Sequence, residues 1–251
     1  MGKIIAIGGG EIGRPGFPVE TTKIDREIIR LSGKKHPKLL FLPTASSDAE
    51  GYIETVKKHF GKRLGCKVQA LRLVKGPPPY GKIKKLILAS DIIYVGGGNT
   101  YNMLKIWRRL KLDKILRLAY DKNIVLSGLS AGAICWFRYG LSDMGKVWGG
   151  CKNIEYKKIK GLGFIDVTLS PHHIREPKRK QALIKVMQKT RGAGLALDDY
   201  AAIEVIDDEY RIITSKPRAQ VHKVFWQSDK CYFDPVKMAS SFQSLEPLIS
   251  I

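Results

Sequence analysis

Short apolar runs alternate along this chain with longer segments whose apolar residues recur every three or four positions. That alternation is the pattern of strands buried on both faces and joined by amphipathic helices. Strands are expected at Lys3–Ile7, Lys38–Leu42, Lys67–Val74, Asp91–Val95, Ile124–Leu126, Phe164–Leu169 and Gly194–Leu197. Helices are expected at Thr22–Leu31, where Ile24, Ile28 and Leu31 share a face and Gly33 supplies a stop, and at Ala49–Lys62, where Ile53, Val56 and Phe60 do the same. Asn99–Leu110, Lys114–Tyr120 and Pro177–Thr190 read as helices too, the last with proline in its first turn.

Beyond Leu197 the period shortens to two, with tight turns between Ala202–Ile206, Tyr210–Thr214, Val221–Gln227 and Cys231–Phe233, the pattern of antiparallel strands. Gly76–Gly81, with its run of prolines, reads as a stiff exposed loop. No repeat or compositional break divides the chain, so the expectation is a single α/β domain over 1–251: a doubly wound, mostly parallel sheet with flanking helices and an antiparallel C-terminal extension.

Composition narrows the setting. With 44% hydrophobic residues the 251-residue chain can bury one large core. Its 4 cysteines are scattered without a C-x-x-C pair, which points away from a zinc site or disulfide framework and toward a reducing compartment. The apolar run after Met1 is too short for a signal sequence, and no run has membrane-spanning length, so a cytoplasmic protein is expected. Lys and Arg number 44 against 23 Asp and Glu, a net charge of +21 that favours nonspecific polyanion binding. No zinc finger, RNP-type aromatic motif or helix-turn-helix accompanies that charge, which leaves a noncatalytic nucleic-acid binder as a rival reading without a motif.

In an open α/β sheet, chemistry collects just beyond the carboxyl ends of the strands. Those positions hold Gly8-Gly9-Gly10-Glu11, Pro43-Thr44-Ala45-Ser46, Gly96-Gly97-Gly98-Asn99, Ser130, Pro171-His172-His173 and Asp198-Asp199. Ser130 lies in Gly128-Leu129-Ser130-Ala131-Gly132 between two apolar stretches, as a nucleophile elbow requires: a sharp strand-to-helix turn demands small residues on both sides. His172 or His173 is the candidate base, and because neighbouring side chains of an extended segment face opposite ways, only one can reach Ser130. His36, His59 and His222 stand where no chemistry is expected of them. The Ala131 amide, with one from Gly96–Gly98, would form an oxyanion site. Gly8, Gly10 and Gly13 also match a dinucleotide-binding loop, but Pro15 and Pro18 oppose the helix that reading needs.

Three motifs in this order, Tyr94-Val95-Gly96-Gly97-Gly98-Asn99-Thr100, Gly128-Leu129-Ser130-Ala131-Gly132-Ala133 and Ser170-Pro171-His172, resemble the aspartyl dipeptidase (peptidase E) and cyanophycinase family of serine peptidases. The similarity runs from Lys3 to about Val224 and includes Leu42–Ser46 and Leu197–Ala202. The resemblance implies a fold like that of class I glutamine amidotransferases, with Ser130 as nucleophile, His172 as base and Gly98 with Ala131 as oxyanion donors. It offers two acids: Asp143 matches a triad aspartate of the dipeptidases, and Asp199 an acidic position after the next strand. Asp199 is preferred, since a strand end beside the histidine strand fixes a carboxylate more firmly than a loop does. Arg175 or Arg179 would bind a substrate aspartate, and Glu11 a substrate amine. The expected activity is hydrolysis of short peptides, with N-terminal Asp-X dipeptides the first candidates and cyanophycinase-like β-aspartyl cleavage the alternative. No cofactor or metal is expected, and the sequence leaves open whether the chain is a monomer or a homodimer.

Overall fold

The computed structural model describes residues 2–143, 155–173 and 176–251. The elements run β1 (Lys3–Ile7), α1 (Thr22–Leu31), β2 (Lys38–Leu42), α2 (Glu50–Val56), β3 (Lys67–Ala70), α3 (Tyr80–Leu88), β4 (Ile92–Val95), α4 (Thr100–Arg109), α5 (Leu112–Asp121), β5 (Val125–Leu129) and α6 (Ala131–Ile134). They continue with β6 (Phe137–Asp143), β7 (Tyr156–Lys160), β8 (Ile165–Ser170), α7 (Pro177–Gln188), β9 (Gly194–Leu197), β10 (Ala201–Ile206), β11 (Glu209–Thr214), β12 (Val221–Gln227), β13 (Lys230–Pro235), β14 (Gln243–Ser244) and α8 (Glu246–Ile249).

These strands form two sheets rather than the one expected. The first has the order β14-β11-β10-β1-β5-β4-β2-β3, and the second β13-β12-β9-β8-β6-β7. Strands β1, β5, β4, β2 and β3 are mutually parallel, whereas β10 joins β1 antiparallel. In the second sheet β6, β8 and β9 are parallel, flanked by antiparallel β7 and β12. The antiparallel C-terminal strands therefore divide: β10 and β11 extend the first sheet, β12 and β13 the second. One buried cluster joins Ile4 and Leu126 of the first sheet to Leu169, Leu195 and Val221 of the second, so the sheets share a core. The α/β class is as the sequence indicates.

Several departures have local causes. Helix α3 begins inside the segment read as a loop: Pro79 caps it, and Ile83 and Ile87, four positions apart, are buried on one face. The apolar stretch after Ser130 is only a single helical turn before the chain straightens into β6. Gly140 lets that strand cross the short helix, since a Cβ there would lie 2.3 Å from Ile134 Cγ2. The helix starting at Glu50 continues as a π-helical stretch, Lys57–Arg63, that turns His59 inward. There His59 Nε2 meets Asp25 Oδ2 of α1 at 2.7 Å. Burial raises the pKa of Asp25.

The elbow rests on two backbone contacts that tolerate no side chain. A Cβ on Gly132 would lie 2.2 Å from Val95 O, and one on Gly128 2.4 Å from Gly132 O. Gly132→Ala should therefore lower the urea midpoint, with a loss of about 1–3 kcal/mol from overpacking. Gly51→Ala is the contrast: this exposed residue of α2 has no atom within 4 Å of the new methyl, and it should gain roughly 0.5–1 kcal/mol of helix propensity in the same titration.

Candidate active site

The site lies where the two sheets meet. Ser130 follows β5 of the first sheet; His172 follows β8 and Asp199 follows β9, neighbouring parallel strands of the second. The end of β1 ties these segments together through backbone bonds: Ser130 N donates to Ile7 O (3.0 Å), Gly8 N to Ala201 O (2.8 Å) and Tyr200 N to Gly9 O (2.9 Å).

His172 Nε2 is 2.8 Å from Ser130 Oγ, and His172 Nδ1 is 2.5 Å from Asp199 Oδ1. Asp199 is buried and His172 half-buried. Both Ser130 and His172 have φ of +57°, an unfavourable region for residues with a side chain. At Ser130 this is the strained turn that an elbow requires.

His173 faces elsewhere. Its ring stacks on Phe233 with centroids 5.5 Å apart, and its amide donates to Leu197 O. Burial, with the positive charges of Lys180 and Arg179 and the neighbouring His222 adding to it, pushes its pKa down to about 4. Of the two candidate bases, the structure brings His172 to Ser130.

The turn after β4 lies against the serine. An added Cβ on Gly97 would sit 3.5 Å from Ser130 Cβ, and Gly98, at φ +139°, presses on Ala45 O, 2.2 Å from its would-be Cβ. Gly97 N donates to Tyr52 Oη at 3.2 Å, which anchors the turn. Burial raises the Tyr52 pKa to about 12, so this hydroxyl stays neutral. Among the described residues, neither the Gly98 nor the Ala131 amide has a hydrogen-bond partner. Both N–H groups are therefore uncommitted, as the donors of an oxyanion site must be.

The remaining candidates fare differently. Asp143 ends β6 and faces Arg179 at 3.9 Å. Arg179, expected as a substrate cation, is 1% exposed and already engaged: Nη1 donates to Leu141 O (2.8 Å), and Nε and Nη2 bond Glu176 (2.9 and 2.8 Å). It fastens α7 to β6 and offers a substrate carboxylate no free face. Arg175 lies outside the described residues. Glu11 ion-pairs with Arg14 at 2.8 Å and stays partly exposed, on a loop closed by an antiparallel bridge between Ile12 and Val19. That bridge replaces the helix a dinucleotide loop would need, since α1 begins only at Thr22. Among the described residues no group of three or more His, Cys, Asp or Glu could hold a metal ion, and no helix is long and apolar enough to cross a membrane.

A serine and histidine in hydrogen-bond contact at the strand ends of an α/β fold are the features of a serine hydrolase. The model of peptidase family S51 matches residues 4–213, and the chain belongs to that family of serine peptidases. An uncharacterized peptidase of Bacillus subtilis, YgaJ, is 36% identical over 228 residues, 89% of this chain and 92% of its own length. A protein of Nostoc named Peptidase E is 27% identical over 152 residues, covering 59% of this chain and 57% of its own length. Among solved structures, a peptidase from an acI-B1 actinobacterium superposes with a TM-score of 0.72 at 19% identity, over 97% of both chains. A putative peptidase E from Listeria monocytogenes gives 0.63 at 19% identity, over 85% of this chain and 98% of that one.

One residue that the motif reading passed over is Gly9. A Cβ there would fall 1.8 Å from Asp199 Oδ1 and 2.4 Å from His172 Nδ1. The signal was present as the middle glycine after β1, but only the fold reveals what it approaches. Gly9→Ala should lower kcat by about 100-fold, the scale of a 1 Å misplacement of reacting groups, and lower the thermal midpoint through a loss of about 1–3 kcal/mol from overpacking; kcat and melting of the purified variant check it.

Proposed function

We propose that the chain is a serine peptidase that hydrolyses short peptides through an acyl-enzyme on Ser130, with His172 as general base and Asp199 as the acid that orients it. The continuous contact from Ser130 Oγ through the His172 ring to Asp199 carries this reading. His172 Nε2 takes the Ser130 proton as Oγ bonds to the scissile carbonyl carbon, and the Gly98 and Ala131 amides hold the resulting oxyanion. Collapse of that intermediate breaks the C–N bond, and the proton passes from His172 to the leaving amine. Water, deprotonated by His172, then releases the acyl group and restores Ser130.

On the substrate side, exopeptidase action and a preference for N-terminal Asp rest on the peptidase E resemblance. The engagement of Arg179 leaves Arg175 as the cation proposed for that aspartate, and Glu11 as the partner of a free N-terminal amine. Turnover of an α-Asp dipeptide, a β-Asp-Arg dipeptide and a neutral dipeptide under one condition tests the choice. Faster turnover of the α-Asp substrate supports the dipeptidase reading, faster β-Asp-Arg turnover the cyanophycinase-like one, and equal rates remove Asp preference.

An organophosphonate probe followed by peptide mass mapping should label Ser130 in the wild type and leave Ser130→Ala unlabelled. Labelling at another residue, or wild-type turnover by Ser130→Ala, would overturn the mechanism. Asp199→Asn should lower kcat by roughly 10³–10⁴-fold, because the imidazole loses the partner that fixes its tautomer. Asp143→Asn should cost less than about 10-fold, and the reverse order of effects would move the triad acid to Asp143.

A further inference from the structure

The chain carries a net charge of +21, and on one face several cations lack acidic partners among the described residues. Strand β7 is an edge of the second sheet and exposes Lys158 and Lys160. The Lys158 ammonium donates to Thr190 Oγ1 at 3.0 Å, next in the chain to exposed Arg191 in the turn beyond α7. From the other side, Arg108 of α4 donates to the carbonyls of Lys160 (2.5 Å) and Gly161 (3.3 Å). Among the described residues the partners of these cations are neutral, and none of Arg108, Lys158 or Lys160 has a carboxylate within ion-pair distance. By contrast, Arg138 and Lys157 nearby are paired with Asp166 and Glu155.

Aromatic rings interleave with this charge. The Lys158 ammonium stands 4.6 Å from the centre of the half-buried Tyr139 ring, opposite Lys160 in the strand register. Further along the same face the Arg117 guanidinium covers the Phe164 ring at 3.8 Å, donates to Gly163 O and borders a depression of about 430 Å³. The Phe164 ring is covered, but the exposed Arg117 guanidinium that covers it is itself a flat cationic group on which a base can stack, and together with cations along a strand edge it suits a flexible phosphate polymer that carries bases. A polymer without bases would use the charge but not that flat face.

We propose that this face, from Arg117 through Arg108 to Lys158, Lys160 and Arg191, binds single-stranded nucleic acid independently of peptide hydrolysis at Ser130.

Fluorescence anisotropy with a labelled oligothymidylate of about 20 nucleotides tests the proposal, beside a polyglutamate of equal charge and at two salt concentrations. Two triple variants with the same charge change are compared. Lys158→Glu, Lys160→Glu and Arg191→Glu alter the proposed face, whereas Lys34→Glu, Lys35→Glu and Lys62→Glu alter exposed positions near α1 and the π-helical stretch. The wild type should bind the oligonucleotide more tightly than polyglutamate, with affinity that falls as salt rises. The first triple should lose at least about 10-fold in affinity and the second less than about 3-fold. Phosphonate labelling of Ser130 should be unchanged in both, which reports folding and separates this test from that of the peptidase mechanism. No complex at low salt, equal losses in the two triples, or polyglutamate binding as tightly as the oligonucleotide would each overturn the proposal.

Discussion

The close approach of backbone segments at the junction of two sheets is the constraint on which the site depends. The ends of β1 and β5 and the turn that leads from β9 into β10 are held together there by the bonds from Ser130 N to Ile7 O, Gly8 N to Ala201 O and Tyr200 N to Gly9 O. No side chain fits between them at Gly9, because Asp199 and His172 already occupy the space where its Cβ would be. The spacing of serine, imidazole and carboxylate is therefore set by main chain and by the registers of two sheets. Side-chain freedom contributes little to it, which is the condition under which a site is preorganised for reaction.

Strain at Ser130 and His172 follows from the same arrangement. Ser130 and His172 both hold φ of +57°, a conformation that costs on the order of 1–3 kcal/mol for a residue with a side chain. Such a cost persists only where the surroundings over-determine the backbone. At Ser130 they do so through Gly128 and Gly132, packed backbone to backbone against the helix turn and Val95. Tyr52 extends this rigidity to the neighbouring turn: its neutral hydroxyl accepts from Gly97 N, so that amide is committed, while among the described residues the Gly98 amide has no partner.

Much of this was legible in the sequence because the signals are local. The elbow needs glycine on both sides of Ser130, and the parallel strands need uninterrupted apolar runs, which is why β1, β2, β9 and α1 fall where their patterns place them. The division into two sheets was not legible. It depends on which strand pairs with which, and β8 with β9 reads like any other buried parallel pair until long-range pairing puts them in a sheet of their own. Arg179 shows the same limit. Proximity to His172 in the chain suggested a substrate ligand, yet the residue falls on the first turn of α7, where it faces inward. The clue was Glu176, three residues earlier, a spacing that pairs the two across one turn.

The adjacent histidines show how environment, and not residue type, assigns chemistry. In His172 both ring nitrogens have partners, a carboxylate on one side and the serine hydroxyl on the other, so the ring can take a proton at Nε2 while Nδ1 stays anchored. In His173 the ring lies flat against Phe233, and burial holds its pKa near 4, so it remains neutral under ordinary conditions. In the proposed mechanism a second imidazolium beside His172 would oppose the charge that His172 acquires on deprotonating Ser130. Burying His173 against an aromatic ring removes that repulsion, while its amide, bonded to Leu197 O, keeps the strand end that carries His172 in register with the one that carries Asp199.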